Sequence, residues 1–336
     1  MNDSRVTVVM STFNEERDVD RSLDAVLAQT VVPQVVVVDG GSRDGTVAKL
    51  QERAAGDPRI RVHADGIARS LPAALNLALE HCTTPFVAKV DARTFIEPDF
   101  LERALDVFSN EGERVGCVGG RPEQYGDTRF GEGFARARMS PFGVGASGYA
   151  DTRDYADVDT VQCGVYRRSA LLRVGGFDPE LQYGEDEEVN WRLRQAGYRI
   201  VRDERIRFRY VARPTWKAAF TQYRNYGRAR VNVWRKHPDF VRPHHLAPSL
   251  AILGAAALAF GGLISEPARA LLLLSAGGYA AGALVAAWFA SDSVRKVPFT
   301  AAAFSALHLG YGLGLIEGVA RHAPALRGRM PRTQER

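Results

Sequence analysis

The chain has 336 residues, enough for one large or two ordinary domains. Its 44 basic and 39 acidic residues leave a formal net charge of +5, but the basic residues gather at 224–242 and 321–336, on either side of an apolar region, and no stacking-aromatic pattern accompanies them. This favours anionic membrane lipids over nucleic acid as the partner. Cys82, Cys117 and Cys163 are far apart and form no C-x-x-C pair, which excludes a zinc site and a disulfide framework.

Taken in order, the chain alternates strand and helix. Arg5 to Met10 reads as a strand that follows Met1 without a signal-peptide pattern, so the globular part is expected in the cytoplasm. Ser11-Thr12-Phe13-Asn14-Glu15-Glu16 then turns into a helix with an apolar stripe at Val19, Leu23, Val26 and Leu27. Val35 to Val38 is a continuous β-branched run, as a strand covered on both faces requires. It ends in Asp39-Gly40-Gly41-Ser42-Arg43-Asp44-Gly45. A strand at Arg59 to His63, a helix at Ser70 to Glu80 and a strand at Phe86 to Val90 continue the pattern. Such alternation predicts an α/β, Rossmann-like, mostly parallel sheet with ligands beyond the carboxyl ends of its strands. Thr12, Asn14, Glu15, Asp39 and Asp91 fall at those ends. No G-x-G-x-x-G follows the first strand, which removes the main support for a nicotinamide site.

Further along, Phe100 to Phe108 reads as an amphipathic helix and Val115 to Gly119 as a strand. Tyr125 to Tyr155, rich in Gly, Ser, Arg and aromatics, has no periodicity and is expected to be a lid or binding loop on the acceptor side. Strands follow near Asp159 to Arg167, Arg199 to Val201 and Ile206 to Val211. Between them, Glu185-Asp186-Glu187-Glu188 opens a helix, where the helix dipole favours acidic residues. Glu187 and Glu188 are read as structural. Glu185 and Asp186 follow Gly184 and stand where a loop can hold a general base at the mouth of a site.

Three apolar stretches, Leu246 to Ile264, Ala268 to Ala290 and Val297 to Val319, are each near the roughly 20 residues that cross a bilayer. Three spans put the basic tail outside, against the positive-inside tendency, and an even number keeps it inside. His308 is expected to contact a lipid diphosphate, and Glu317 to snorkel.

Five motifs in order, Ser-Thr-Phe-Asn-Glu-Glu, Val-Asp-Gly-Gly-Ser-Arg-Asp-Gly-Thr, Val-Asp-Ala-Arg, Gly-Gly-Phe-Asp and Gly-Glu-Asp-Glu-Glu, resemble the inverting family 2 glycosyltransferases with the GT-A fold. Ser140-Pro141-Phe142-Gly143 and Asp159-Thr160-Val161 further resemble the ExoA-type enzymes of succinoglycan assembly. The resemblance implies a GT-A domain at 1–220, a basic interfacial segment at 221–245, membrane helices at 246–320 and an Arg-rich tail at 321–336. It implies that Thr12, Asn14, Glu15 and Asp39 hold the nucleoside of a UDP-sugar, with Arg69, Asp91 and Arg93 near its phosphates. Asp186, with Glu185 beside it, would be the catalytic base, and Ser140, Phe142, Tyr183 and Gly184 the acceptor side.

The implied acceptor is a polyprenyl-phosphate-linked saccharide and the donor sugar glucose. The implied location is the cell inner membrane, multi-pass, with the catalytic domain in the cytoplasm. The implied cofactor is Mg²⁺ or Mn²⁺ on Asp91, the first carboxylate of the family's D-x-D. Arg93 replaces the second carboxylate and cannot ligate a cation, so Arg93 neutralising the diphosphate is the other version. Gln222-Tyr223-Arg224-Asn225-Tyr226 departs from the Q-x-x-R-W of processive members and reads as an amphipathic helix at the membrane surface. The competing readings are a non-catalytic nucleotide-binding membrane regulator and a transporter component.

Overall fold

The β-branched run forms β2 (Gln34–Asp39), and its neighbours β1 (Val6–Thr12) and β3 (Ile60–His63) pair with it in parallel. Alternation along these strands sends Val35 and Val37 into one hydrophobic core, and Val36 and Val38 into another. Burial on both faces is why no polar residue interrupts the run. The structure, a computed structural model, describes residues 4–144, 153–240 and 242–327.

The chain divides into two units, Met1–Tyr125 with Asp151–Val211, and Gly126–Ala150 with Ala212–Arg336. The first unit gives up 126–150 and ends nine residues before the expected boundary at residue 220.

In the first unit an eight-stranded sheet runs β3-β2-β1-β4-β9-β6-β10-β8, where β4 is Phe86–Lys89, β6 Val115–Gly120, β8 Tyr155–Asp157, β9 Gln162–Arg167 and β10 Arg199–Asp203. The first four strands in this order are parallel, and β9 is antiparallel to both β4 and β6. A second sheet of three short strands, β5 (Thr94–Ile96), β7 (Pro122–Tyr125) and β11 (Phe208–Val211), stands apart from it. One core holds α1 (Val19–Leu27) and α4 (Phe100–Glu111) through Leu23, Phe100 and Phe108. The other holds α3 (Leu71–Glu80), α7 (Arg168–Arg173) and α8 (Glu185–Gln195) through Leu75, Leu171 and Leu193.

The second unit is helical. The stretch expected to be a lid is instead α5 (Arg129–Met139) and α6 (Pro141–Val144), with 145–152 outside the described residues. Phe134 and Ala137 of α5 are buried with Phe304 and Leu307 of α12 (Val297–Arg327). The glycines that resemble a flexible loop in sequence serve close packing: a Cβ on Gly133 would lie 2.6 Å from the Phe299 carbonyl carbon. Ion pairs Arg136–Asp292 and Lys296–Glu132 (2.8 Å) fasten the same helix.

Helix α9 (Trp216–Lys236), capped by Thr215, runs beside α12. Gly310, Gly314 and Gly318 recur every four residues and face Phe220, Arg224 and Val231, so the two backbones approach closely. Glu317 accepts from both Arg224 and Arg228. It is an interhelical clamp and does not snorkel. His308 also departs from expectation. Its Nε2 donates to the Phe142 carbonyl at 2.9 Å and its Nδ1 accepts from the Tyr279 hydroxyl at 2.9 Å, so both ring nitrogens are engaged within the unit.

Helices α10 (Ala247–Gly261) and α11 (Glu266–Ala290) complete the unit with large exposed apolar residues, among them Leu250, Phe260, Leu274 and Phe289. Among the described residues three helical stretches are long and apolar enough to cross a membrane, Pro243–Gly261, Glu266–Ala290 and Val294–His322. Gly314→Ala is expected to cost about 1–3 kcal/mol by overpacking the α9–α12 contact. Gly277→Ala, where nothing lies within 4 Å, should leave stability unchanged. Thermal unfolding of the two variants in detergent checks this.

Candidate active site

Parallel pairing aligns Thr12 with Asp39 and Val9 with Lys89, so the ends of β1, β2 and β4 open on one side of the sheet. Two groups of polar side chains stand there.

The first group shapes the loops after β1 and β2. Asp39, 1% exposed, accepts from Gly41 N (2.9 Å), Ser42 N (2.8 Å), Ser42 Oγ (2.5 Å) and Thr12 Oγ1 (3.1 Å). All of these bonds are internal, so Asp39 holds the loop that faces the crevice. Asn14 takes a left-handed conformation (φ 54°), which Asn tolerates better than most residues. Its backbone N–H donates to Ser42 Oγ and its side-chain oxygen accepts from Arg43 N, joining the two loops. Arg93 Nε donates to both Glu15 oxygens at 2.9 and 3.1 Å. Arg69 is bidentate to Asp65, at 2.5 Å for both bonds, and holds that carboxyl well below the usual range. The two arginines expected near the diphosphate are therefore each paired with a carboxylate.

The second group surrounds Lys89, the last residue of β4. This side chain is 1% exposed, a position that requires partners for its charge. Its Nζ lies 3.2 Å from Asp91 Oδ1, 3.0 Å from Glu185 Oε1 and 2.9 Å from Asp186 Oδ2. Burial alone would drive its proton off, but Asp186, Asp91 and Glu185 together hold the ammonium well above the ordinary lysine range.

Glu185 and Asp186 reach Lys89 because Gly184 adopts the left-handed conformation (φ 82°) just before α8. Only glycine takes that turn at no steric cost, and it starts the helix with both carboxyls in its first turn. Asp186 Oδ2 is engaged by Lys89, while Oδ1 is buried with no hydrogen-bond partner. Burial is the largest influence on this carboxyl. Lys89 opposes it, Glu185 and Asp91 add to it, and the result is a pKa pushed up to about 7. Glu188 is structural, as its sequence context suggests: it pairs with Arg192 at 2.6 Å, and Arg192 in turn donates to the carbonyls of Val174 and Gly176.

Of the residues singled out by sequence, Thr12 with Asp39, Glu15 with Arg93, and Asp91 with Glu185 and Asp186 come together in the first unit. Tyr183 stands two residues before Glu185 and is 39% exposed. Ser140 and Phe142 belong to the second unit, where the Ser140 hydroxyl accepts from Phe142 N at 3.2 Å and the Phe142 ring meets Phe304 and His308. Lys89 is the residue that sequence reasoning passed over. Its signal was a charge inside the otherwise apolar run Phe86-Val87-Ala88-Lys89-Val90.

Among the described residues no group of three or more His, Cys, Asp or Glu side chains could by itself hold a metal ion. Asp91 fits the lesser requirement of Mg²⁺ or Mn²⁺, which are bound by one or two carboxylates with substrate phosphates supplying further ligands. Its side chain is 32% exposed, and the Lys89 pair uses Oδ1 only.

Residues 7–175 match the family described as glycosyl transferase family 2. The chain belongs to that family. It is 27% identical over 315 residues to the succinoglycan biosynthesis protein ExoA of Rhizobium meliloti, covering 91% of this chain and 92% of the relative. It is also 25% identical over 189 residues to the glucosyl-dolichyl phosphate glucuronosyltransferase of Haloferax volcanii, covering 55% of this chain and 59% of the relative. Among solved structures it resembles the mannosyltransferase PcManGT of Pyrobaculum calidifontis in complex with GDP-Man and Mn²⁺, with a TM-score of 0.62 at 23% identity over 91% of this chain and 86% of that one. The protein is a GT-A glycosyltransferase, and the non-catalytic regulator and the transporter component give way to that assignment.

Removing the glycosyltransferase's buried cation by Lys89→Met leaves three carboxylates around one apolar side chain. The expected loss is about 3–5 kcal/mol at neutral pH. The loss should shrink as pH falls, because Asp186, whose folded pKa is raised, binds its proton more tightly in the folded than in the unfolded state. Chemical denaturation at several pH values measures both effects.

Proposed function

We propose that this glycosyltransferase works by inversion, moving a sugar from a UDP-sugar to a lipid-linked saccharide at the face of the cell membrane, with Asp186 as general base. The observation that carries this reading is the asymmetry of Asp186: Lys89 occupies one oxygen and the other has no partner. A base needs its orientation fixed and one lone pair left for the incoming hydroxyl.

In the reaction the acceptor oxygen bonds to the anomeric carbon, its proton passes to the Asp186 carboxylate, and the bond from that carbon to the diphosphate breaks. The nucleoside diphosphate leaves with the electron pair. Attack opposite the leaving group inverts the configuration. Glu185 shares Lys89 and keeps the ammonium fixed while Asp186 changes charge. A Mg²⁺ or Mn²⁺ ion, held by Asp91 and the diphosphate, would supply positive charge toward the leaving group.

Thr12, Asn14, Glu15 and Asp39 shape the crevice in which the nucleoside lies, Asp39 through the loop it braces. Phosphate access to Arg93 or Arg69 requires each to share or exchange its carboxylate partner. Tyr183 and Gly184 flank the base on the acceptor side. A lipid-linked acceptor is supported by the dolichyl-phosphate relative and by the apolar helices that follow the catalytic unit.

Asp186→Asn keeps the shape and removes the base. Nucleotide affinity should remain within about twofold, while turnover with a membrane lipid extract falls by about 10²–10⁴-fold. Appreciable turnover would move the base elsewhere. For the unmodified enzyme, kcat/KM should rise with pH and level off above about 7, because only the ionised Asp186 accepts the proton. A plateau reaching down to pH 5 would contradict the assignment. Running the assay over a panel of UDP-sugars identifies the donor, with UDP-glucose expected to be the most active.

A further inference from the structure

Three stretches have the length and composition of membrane spans, but they are not alike in their surroundings. Only 6% of the first apolar window and 11% of the second are buried within the protein, against 50% of the third. Large apolar side chains of α10 and α11 stand in the open, including Phe260 (77%), Ile264 (92%) and Phe289 (84%). Those of α12 are covered: Phe304, Leu307 and Leu315 are each at most 4% exposed. Apolar composition in α12 is therefore accounted for by contact with protein.

The covering helix sets the depth. Trp216 Nε1 donates to Ser305 Oγ, Gly310 meets Phe220, Gly314 meets Arg224, and Gly318 meets Val231 and Arg228. Four-residue steps on one helix match four-residue steps on the other in the same direction, so α9 and α12 run parallel. The shared length from Ser305 to Gly318 is about 20 Å at 1.5 Å per residue, roughly two-thirds of a hydrocarbon core of about 30 Å.

If that part of α12 crossed the bilayer, α9 would cross beside it. Helix α9 cannot do so. Lys217 and Thr221 are exposed and Asn225 is partly exposed, on the side turned away from the buried residues Ala219, Tyr223 and Gly227, while the partly exposed Arg224 and Arg228 border the α12 contact and pair with Glu317 at its edge. Glu317 offsets only one of the two arginine charges it binds. A lipid-facing strip of this kind, with an uncompensated arginine at mid-bilayer, is strongly unfavourable.

We infer that α10 and α11 alone cross the membrane as a two-helix hairpin, and that α12 stays with α9 in the headgroup layer of anionic lipid on the entry side. The polar strip of α9 meets lipid headgroups there. The turn at Gly262 to Ser265 lies on the far side. On this reading the basic tail falls on the side on which α9 lies, in keeping with the positive-inside tendency. The inference rests on the membrane reading of α10 and α11 and does not depend on the chemistry of Asp186.

The test uses the full chain in spheroplasts of an expressing bacterium, labelled with a membrane-impermeant maleimide. The three native cysteines are buried, and the unmodified protein measures their background. Ile264→Cys is expected to label from outside, and Thr333→Cys only after permeabilisation. Labelling of Thr333→Cys from outside would mean three spans and would overturn the inference, while leaving glycosyl transfer to its own test. An Ile264→Cys variant that labels only after permeabilisation would overturn the hairpin and the membrane reading beneath it.

Discussion

One ammonium group facing three carboxylates holds the catalytic unit's chemistry together. Lys89 ends a central strand, Asp91 follows two residues later, and Glu185 and Asp186 arrive from the start of a helix almost a hundred residues on. Neither half is tolerable alone: a buried lysine without partners would lose its proton, and three gathered carboxylates without a cation would repel one another. Joined, they fix the first turn of α8 against the end of β4. Burial, with the neighbouring charges of Glu185 and Asp91 adding to it, outweighs the pull of Lys89, which is why the carboxyl of Asp186 remains easy to protonate although it is ion-paired.

The nucleotide side of the crevice is built on a different principle. There the charged and polar groups satisfy one another before any ligand arrives: Asp39 is filled by its own loop, Glu15 by Arg93, and Asp65 by Arg69. Such internal pairing fixes the outline of a site and sets a cost for any ligand that must displace a partner. The contrast with Asp186 is informative. Its unpartnered oxygen is a buried acceptor that the surrounding protein leaves unsatisfied, and a role as base accounts for it.

Much of the catalytic unit was legible because its physics is local. Continuous Val runs mark strands buried on both faces, and the apolar stripe of α1 marks an amphipathic helix. Gly184 next to acidic residues marks a turn that opens a helix. Of the three-stranded sheet only β11 was legible; β5 and β7, three and four residues long, carry too little pattern to stand out from turns. The Tyr125–Tyr155 stretch misled for a reason of composition. Gly133 looks like a loop residue, and only the backbone of α12 lying against it reveals it as a contact residue of a helix. Lys89 was visible as a charge in an apolar strand, but its partners are remote in sequence. Glu317 and His308 likewise stand out as polar residues in an apolar stretch, and their use in binding α9 to α12 and α6 to α11 is set by tertiary packing alone.

The central claim is that the Lys89 cluster holds a carboxyl poised near neutrality. Carbon-13 NMR of protein labelled at the aspartate carboxyl carbons measures this without relying on turnover. The account predicts one aspartate signal titrating near pH 7, absent from the spectrum of Asp186→Asn. A spectrum in which every aspartate titrates below pH 5 would contradict it.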